Sequence, residues 1–334
     1  MKKIAVIGGG SWGTALAIAL TRSSSPHRLA LWAHSADVVE ILAARRMNEI
    51  YLPGFELPSA VEVTGSLEKA LAGADIVLGV MPSAHARGLY RSMRPHVEPR
   101  SIFVSATKGL EPDTHARMSE VIAQEMGEGS ASRIAVLSGP SFALEVAAGD
   151  PTAVVLASAD AALASIVQEE FSGPRFRLYT NDDILGTEIA GAVKNVIAIA
   201  AGICTGLELG TNAVAALVTR GLAEMTRLAV ALGGRRETLS GLAGVGDLIL
   251  TATGELSRNR SIGIQLGKGR ELNEIIGATR RVAEGVGSAA ATLELARRAQ
   301  VEMPITEQVH AVLTAGRVTR DAIRDLMERR LKQE

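Results

Sequence analysis

Gly8-Gly9-Gly10-Ser11-Trp12-Gly13 follows directly on the apolar run Ile4-Ala5-Val6-Ile7 and leads into Thr14-Ala15-Leu16-Ala17. Between a strand and a helix, glycines at this spacing make an anion cradle. Gly8 permits the tight turn, Gly10 lets the backbone approach a pyrophosphate, and Gly13 lets the helix pack on the strand. Unpaired N–H groups at the helix N-terminus then face the phosphates. The segment reads as a dinucleotide site. In such sites an Asp or Glu closing the second strand takes the ribose 2′-hydroxyl. Here the strand Leu29–Ala33 ends at His34-Ser35, with no carboxylate before Asp37, so nothing repels a 2′-phosphate. The expected cofactor is NADP, or NADP and NAD alike.

Other polar residues stand in apolar settings. Thr107-Lys108-Gly109-Leu110 lies past the carboxyl end of the run Ser101–Ala106, where open α/β sheets bind ligands. Lys194-Asn195 interrupts the apolar, helix-length stretch Glu188-Ile189-Ala190-Gly191-Ala192-Val193-Lys194-Asn195-Val196-Ile197. A lysine there costs desolvation energy unless paired or used, and burial suits it to proton transfer at neutral pH. The competing reading is a stem lying along apolar surface with its charge in water. Asp247, in Gly244-Val245-Gly246-Asp247-Leu248, is a candidate partner for a lysine. Ser257-Arg258-Asn259 offers a guanidinium and amide donors for a phosphate, and a helix beginning after Ser257 would add backbone N–H groups.

The elements that must hold these residues follow from hydropathy. Candidate strands are Ile4–Gly8, Leu29–Ala33, Asp75–Val80, Ser101–Ala106, Ile134–Leu137 and Thr152–Ala157, alternating with helix-length segments such as Gly13–Arg22 and Thr114–Gln124. Near-continuous apolar strands alternating with helices predict an α/β, doubly wound parallel sheet. Asn181-Asp182-Asp183 can cap a helix, and beyond it Ala/Leu/Ile-rich segments broken by glycines predict an all-α C-terminal domain. The expected division is 1–180, binding the dinucleotide, and 181–334, holding the substrate.

With 334 residues, 47% of them hydrophobic, the chain can fill two cores. A net charge of −1 gives no basis for nucleic-acid binding. One cysteine, Cys204, rules out an internal disulfide and reads as a small core residue. Met1-Lys2-Lys3 passes straight into a strand too short for a signal-peptide core. The apolar stretch 189–203 contains Lys194 and reads as a buried helix, so no stable membrane insertion is expected. The charge-rich 317–334 segment reads as the solvated face of a terminal helix. Six scattered histidines give no metal-ligand spacing, so no metal is expected. These features point to a cytoplasmic compartment.

The motifs together resemble the bacterial-type NAD(P)-dependent glycerol-3-phosphate dehydrogenases over nearly the whole chain. The marks are residues 8–17, Tyr51-Leu52-Pro53-Gly54, Thr107-Lys108-Gly109-Leu110-Glu111 and Leu137-Ser138-Gly139-Pro140-Ser141-Phe142-Ala143. They continue with 188–196, Gly246-Asp247-Leu248 and Ser257-Arg258-Asn259. The resemblance implies a Rossmann-like first domain and reduction of dihydroxyacetone phosphate to sn-glycerol 3-phosphate, supplying glycerophospholipid synthesis. It implies Lys194 as the proton-transfer residue. For the substrate pocket it implies Lys108, Gly139, Ser141, Asn195, Asp247, Ser257, Arg258 and Asn259. Implied cofactor contacts are Ser11, Trp12, His34, Tyr51, Lys108, Ala143, Arg258, Val282 and Glu284, beside the cradle glycines Gly8, Gly10 and Gly13. Helical second domains of this size often pair, so a homodimer is the expected assembly. Two other readings stand beside this one. The first is a reductase of 3-hydroxy or 2-keto acids with a helical second domain; the second is a non-catalytic dinucleotide sensor.

Overall fold

A computed structural model describes residues 1–277 and 284–330. The chain forms two compact units, Met1–Glu111 with Ala116–Glu188, and Pro112–His115 with Ile189–Glu334.

The first unit is built on strands β1 (Lys2–Ile7), β2 (His27–Trp32), β5 (Val61–Thr64), β6 (Ile76–Gly79), β7 (Ile102–Ser105), β8 (Ile134–Ser138), β9 (Thr152–Ala157) and β10 (Phe176–Asn181). They form one sheet in the order β10-β9-β8-β7-β6-β1-β2-β5. From β1 the chain winds outward to β2 and β5, then returns to β6 on the other side of β1. The strand order therefore reverses between β1 and β6. Strands β3 (Met47–Asn48) and β4 (Leu52–Glu56) make a separate antiparallel hairpin. The helices are α1 (Ser11–Leu20), α2 (Ala36–Arg45), α3 (Leu67–Leu71), α4 (Ser83–Met93), α5 (Met118–Met126), α6 (Ala143–Ala148) and α7 (Ala161–Phe171).

Alternation along the strands feeds two cores. Ile4, Val6, Leu29, Leu31, Ile76 and Leu78 join the cluster that includes α1 residues. Ala5, Ile7, Ala30, Trp32 and Val77 join the cluster with Ala86, Tyr90 and Met93 of α4. A sheet covered on both faces needs the continuous apolar strands seen in the sequence.

Three details depart from expectation. The sheet is not wholly parallel: β8 and β9 pair antiparallel, Val136 opposite Ala157 and Ser138 opposite Val155. Their link, residues 139–151, turns back at the carboxyl end of β8 instead of crossing the sheet. Strands β5 and β10 lie at the sheet's two edges and mix buried with exposed residues, so neither shows a continuous apolar run. The helix expected over Thr114–Gln124 starts later, at Met118. A bridge between Leu110 and Arg117 holds the preceding segment as a loop. The Glu188 carboxylate accepts from Ser119 N at 2.7 Å, Ser119 Oγ at 2.6 Å and Arg117 Nη1 at 2.9 Å, fixing the helix start.

Among its described residues the second unit carries the helices α8 (Ile184–Gly206, whose first turn lies in the first unit), α9 (Thr211–Ala231), α10 (Arg236–Ser240), α11 (Asp247–Thr253), α12 (Arg258–Gly267), α13 (Leu272–Gly277), α14 (Glu284–Arg298), α15 (Pro304–Ala315) and α16 (Thr319–Met327) and no strand. Asp183 caps α8, its Oδ1 accepting from Gly186 N at 2.7 Å. Helix α8 is long and apolar enough to cross a membrane, yet its most apolar window is 94% buried inside the protein. Cys204, on α8, is buried.

Glu224 on α9 is buried and caps α15. Its carboxylate accepts from Ile305 N at 2.7 Å and from Thr306 N and Oγ1 at 3.3 and 3.2 Å. Burial outweighs these donors and pushes the carboxyl up to about 7. The folded state therefore holds this proton more tightly than the unfolded chain, and the stabilisation is lost as pH rises through the folded value. The stability of the wild type relative to Glu224→Gln should fall between about pH 4.5 and 7, by on the order of 2–3 kcal/mol. Denaturant titrations at stepped pH check this; a pH-independent difference would contradict it.

Candidate active site

In the first unit the glycine turn meets the sheet where the strand order reverses. Gly8 has φ +138°, and a Cβ there would fall 2.1 Å from the Val80 carbonyl oxygen. A Cβ on Gly13 would lie 1.8 Å from the Gly8 carbonyl oxygen. At both positions backbone packs on backbone and only glycine fits. A Cβ on Gly10 would meet nothing within 4 Å, so the loop is open on that side. Gly10 is the N-cap of α1, no side chain caps the helix, and no acidic residue occupies its first turn. An open backbone with uncapped N–H groups and no carboxylate fits a pyrophosphate.

The turn is clamped by a residue that sequence reasoning did not single out. Asn48 of the hairpin is buried; its Nδ2 donates to Gly9 O at 2.9 Å and Thr14 Oγ1 at 2.8 Å, while its Oδ1 accepts from Tyr51 N at 3.1 Å. Ser11 Oγ donates to Tyr51 O at 2.7 Å. The only sequence signal was an Asn three positions before the Tyr51–Gly54 motif. Trp12 follows at the start of α1, partly buried. His34 is exposed past the end of β2, its ring 5.9 Å from that of Trp32.

At the carboxyl ends of β7 and β8, Lys108 Nζ and Ser141 Oγ both donate to Gly139 O, at 2.8 and 2.9 Å. Gly139 has φ +125°, the left-handed region that favours glycine. Ala143 opens α6.

The second unit holds a buried charge pair. Lys194 Nζ donates to Asp247 Oδ1 at 2.5 Å and to Thr251 Oγ1 at 2.8 Å; the two charged side chains are 6% and 1% exposed. Thr251 Oγ1 in turn donates to Asp247 O at 2.6 Å. Desolvation penalises the ammonium, while the carboxylate favours it. Asp247 is aimed by a single π-helical turn, Leu242–Gly246, where a Cβ on Gly244 would fall 2.0 Å from Leu239 O. Such wide turns recur where a side chain must be placed for function.

Beside this pair lies an amide chain. Asn259 Nδ2 donates to Asn195 Oδ1 at 2.9 Å, and Gly285 N donates to Asn259 Oδ1 at 3.1 Å. Ser257 is buried and caps α12, its Oγ accepting from Arg260 N at 3.2 Å. Arg258, the first residue of α12, is exposed, and Glu284 opens α14. Val282 lies outside the described residues. The expected residues thus gather as a glycine cradle and a Lys108–Gly139–Ser141 group in the first unit. In the second, Lys194 and Asp247 meet, joined by Thr251, which was not among the expected residues, with Asn195 and Asn259 on neighbouring helices.

Residues 3–164 match the NAD-dependent glycerol-3-phosphate dehydrogenase N-terminus, and residues 183–324 match that family's C-terminus. The chain is 57% identical over 330 residues to an NAD(P)+ glycerol-3-phosphate dehydrogenase of Koribacter versatilis, spanning 98% of each chain. It is 54% identical to the protein of the same name from Acidobacterium capsulatum, again over 98% of each chain. This chain belongs to the NAD-dependent glycerol-3-phosphate dehydrogenase family. The crystal structure of the glycerol-3-phosphate dehydrogenase from Coxiella burnetii superposes with a TM-score of 0.92 at 42% identity, covering 98% of this chain and 99% of that one. The family's N-terminal match contains the glycine cradle and the Lys108–Ser141 group; its C-terminal match contains the Lys194 cluster and Ser257-Arg258-Asn259.

Asn48→Ala removes three hydrogen bonds from a buried site and releases the glycine turn. It should destabilise the first unit by about 1–3 kcal/mol and weaken NADPH binding about tenfold, as read by thermal melting and fluorescence titration. Unchanged affinity in the folded variant would remove Asn48 from the cradle.

Proposed function

We propose that the chain catalyses the reversible NAD(P)H-dependent reduction of dihydroxyacetone phosphate to sn-glycerol 3-phosphate. The observation that carries this reading is the buried Lys194 ammonium, held by Asp247 and Thr251 on helices that adjoin Ser257-Arg258-Asn259. A charge so deeply buried needs a partner, and one placed beside the Arg258 guanidinium and the Asn259 amide, donors suited to a phosphate, has a use. Neither rival reading gives Ser257-Arg258-Asn259 a role.

In this reading Gly8, Gly10, Ser11, Trp12 and Gly13 hold the pyrophosphate region. His34, Tyr51, Lys108, Ala143, Arg258 and Glu284 contact the rest of the dinucleotide. The reduced nicotinamide, when bound, supplies a hydride to the substrate's carbonyl carbon. Lys194 stabilises the negative charge growing on the carbonyl oxygen and delivers a proton to it from Nζ; a positioned acid contributes about 10²–10⁴-fold. Asp247 and Thr251 fix the ammonium's direction. Arg258 and Asn259 bind the phosphate, so binding energy away from the reacting carbon orients it. Lys108, Gly139, Ser141 and Asn195 complete the substrate pocket, Lys108 adding positive potential, and Ser257 holds the start of α12. The absence of a carboxylate at His34-Ser35 supports NADPH use, alone or beside NADH. We place the enzyme in the cytoplasm, as a homodimer supplying glycerophospholipid synthesis.

Oxidation of NADPH and NADH, followed by absorbance with dihydroxyacetone phosphate, tests the reading. Turnover with the phosphorylated ketone and little with dihydroxyacetone is expected; equal rates would sink the phosphate-anchor assignment. Comparable or higher kcat/KM with NADPH supports the cofactor reading, and a large preference for NADH would overturn it. Lys194→Ala should lower kcat by about 10³-fold or more with NADPH affinity retained. Arg258→Ala should mainly raise KM for dihydroxyacetone phosphate.

A further inference from the structure

Helices α8 and α12 run side by side with backbone against backbone. A Cβ on Gly263 would fall 2.0 Å from Ile199 O, and one on Gly267 would fall 2.6 Å from Ile203 O. From the other side, a Cβ on Gly202 would lie 2.1 Å from Arg260 O, and one on Gly206 would lie 2.2 Å from Ile264 O. The obstacles are main-chain atoms, which no rotamer change can move aside. The glycines stand four apart on each helix, one turn, so the contact continues along a ridge.

The register of this contact reaches the site. Ile199 faces Gly263 and Ile203 faces Gly267; one turn earlier, Asn195 faces Asn259, joined by the 2.9 Å amide bond across 64 positions. The same offset brings Lys194 level with Arg258. Gly285 seals the end: a Cβ there would lie 2.8 Å from both Asn195 O and Asn259 Oδ1.

We propose that this glycine crossing is a specificity determinant of the reaction, setting the span between the proton donor on α8 and the phosphate anchor on α12. Gly263 and Gly267, with Gly202 and Gly206, are positioning residues. They select ketones whose phosphate ester sits on the carbon next to the carbonyl. The inference rests on the function proposed above. Helix α8 is core, so added bulk displaces α12; the anchor moves while Lys194 keeps its place.

The test compares wild type with Gly263→Ala and the milder Gly267→Ala, both checked for folding by circular dichroism and for NADPH affinity. Binding of sn-glycerol 3-phosphate to the NADP+ complex is measured by calorimetry, and kcat/KM with dihydroxyacetone phosphate and dihydroxyacetone. With fold and NADPH affinity retained, Gly263→Ala should lower kcat/KM for the phosphorylated ketone about a hundredfold and weaken product binding. Gly267→Ala should do the same to a smaller degree. Activity on dihydroxyacetone should stay within about threefold, so that selectivity collapses. Unchanged selectivity in the folded variants overturns the proposal, as does equal loss on both ketones. Failure of both variants to fold also overturns it, because the crossing is then a stability element alone. A wild type that binds no sn-glycerol 3-phosphate would instead overturn the function reading itself.

Discussion

A buried ammonium cannot stand alone, and the second unit is organised around that constraint. Removing either partner of a buried ion pair costs about 3–5 kcal/mol, because the remaining charge stays desolvated. Lys194 can be tolerated inside α8 only because Asp247 and Thr251 meet it within 2.5 and 2.8 Å. The π-helical turn before Asp247 and the close approach at Gly244 serve this placement. The glycine contact between α8 and α12 extends the same order to Asn195 and Asn259.

The first unit handles charge in the opposite way. Its cradle presents no buried ion, only main-chain N–H groups left uncapped at the start of α1. Such a site holds an anion without committing a cation to it. Its precision comes from glycines packed against Val80 and Gly8 carbonyls and from Asn48, which ties the hairpin to the turn. Glu188 and Glu224 show a third use of charge. Each is a buried carboxylate that satisfies the first N–H groups of another helix, α5 or α15. Burial holds both above the usual carboxylate range.

Sequence pattern revealed the features whose signal is local. The glycine fingerprint, the continuous apolar strands and the lysine in an apolar helix each have a short-range cause, and the structure shows the elements where pattern put them. The caps at Asp183 and Ser257 were readable for the same reason. The pairing of Lys194 with Asp247 could be suspected because a buried lysine demands a carboxylate and few stand in apolar settings. Edge strands β5 and β10 escaped because one-sided burial breaks up an apolar run. The delayed start of α5 escaped because its cap, Glu188, is 69 positions away. Asn48 and the glycine crossing escaped for the same reason: their meaning lies in partners distant in sequence.

In the proposed mechanism Lys194 gives up a proton and does not act as a positive charge alone. Chemical rescue of Lys194→Ala separates the two roles. Turnover of dihydroxyacetone phosphate would be followed as methylammonium is added, with tetramethylammonium as the cation that carries no transferable proton. Methylammonium is expected to restore activity in a concentration-dependent way, and tetramethylammonium is expected to leave the variant inactive. Equal rescue by both cations, or a variant that needs no rescue, would contradict it.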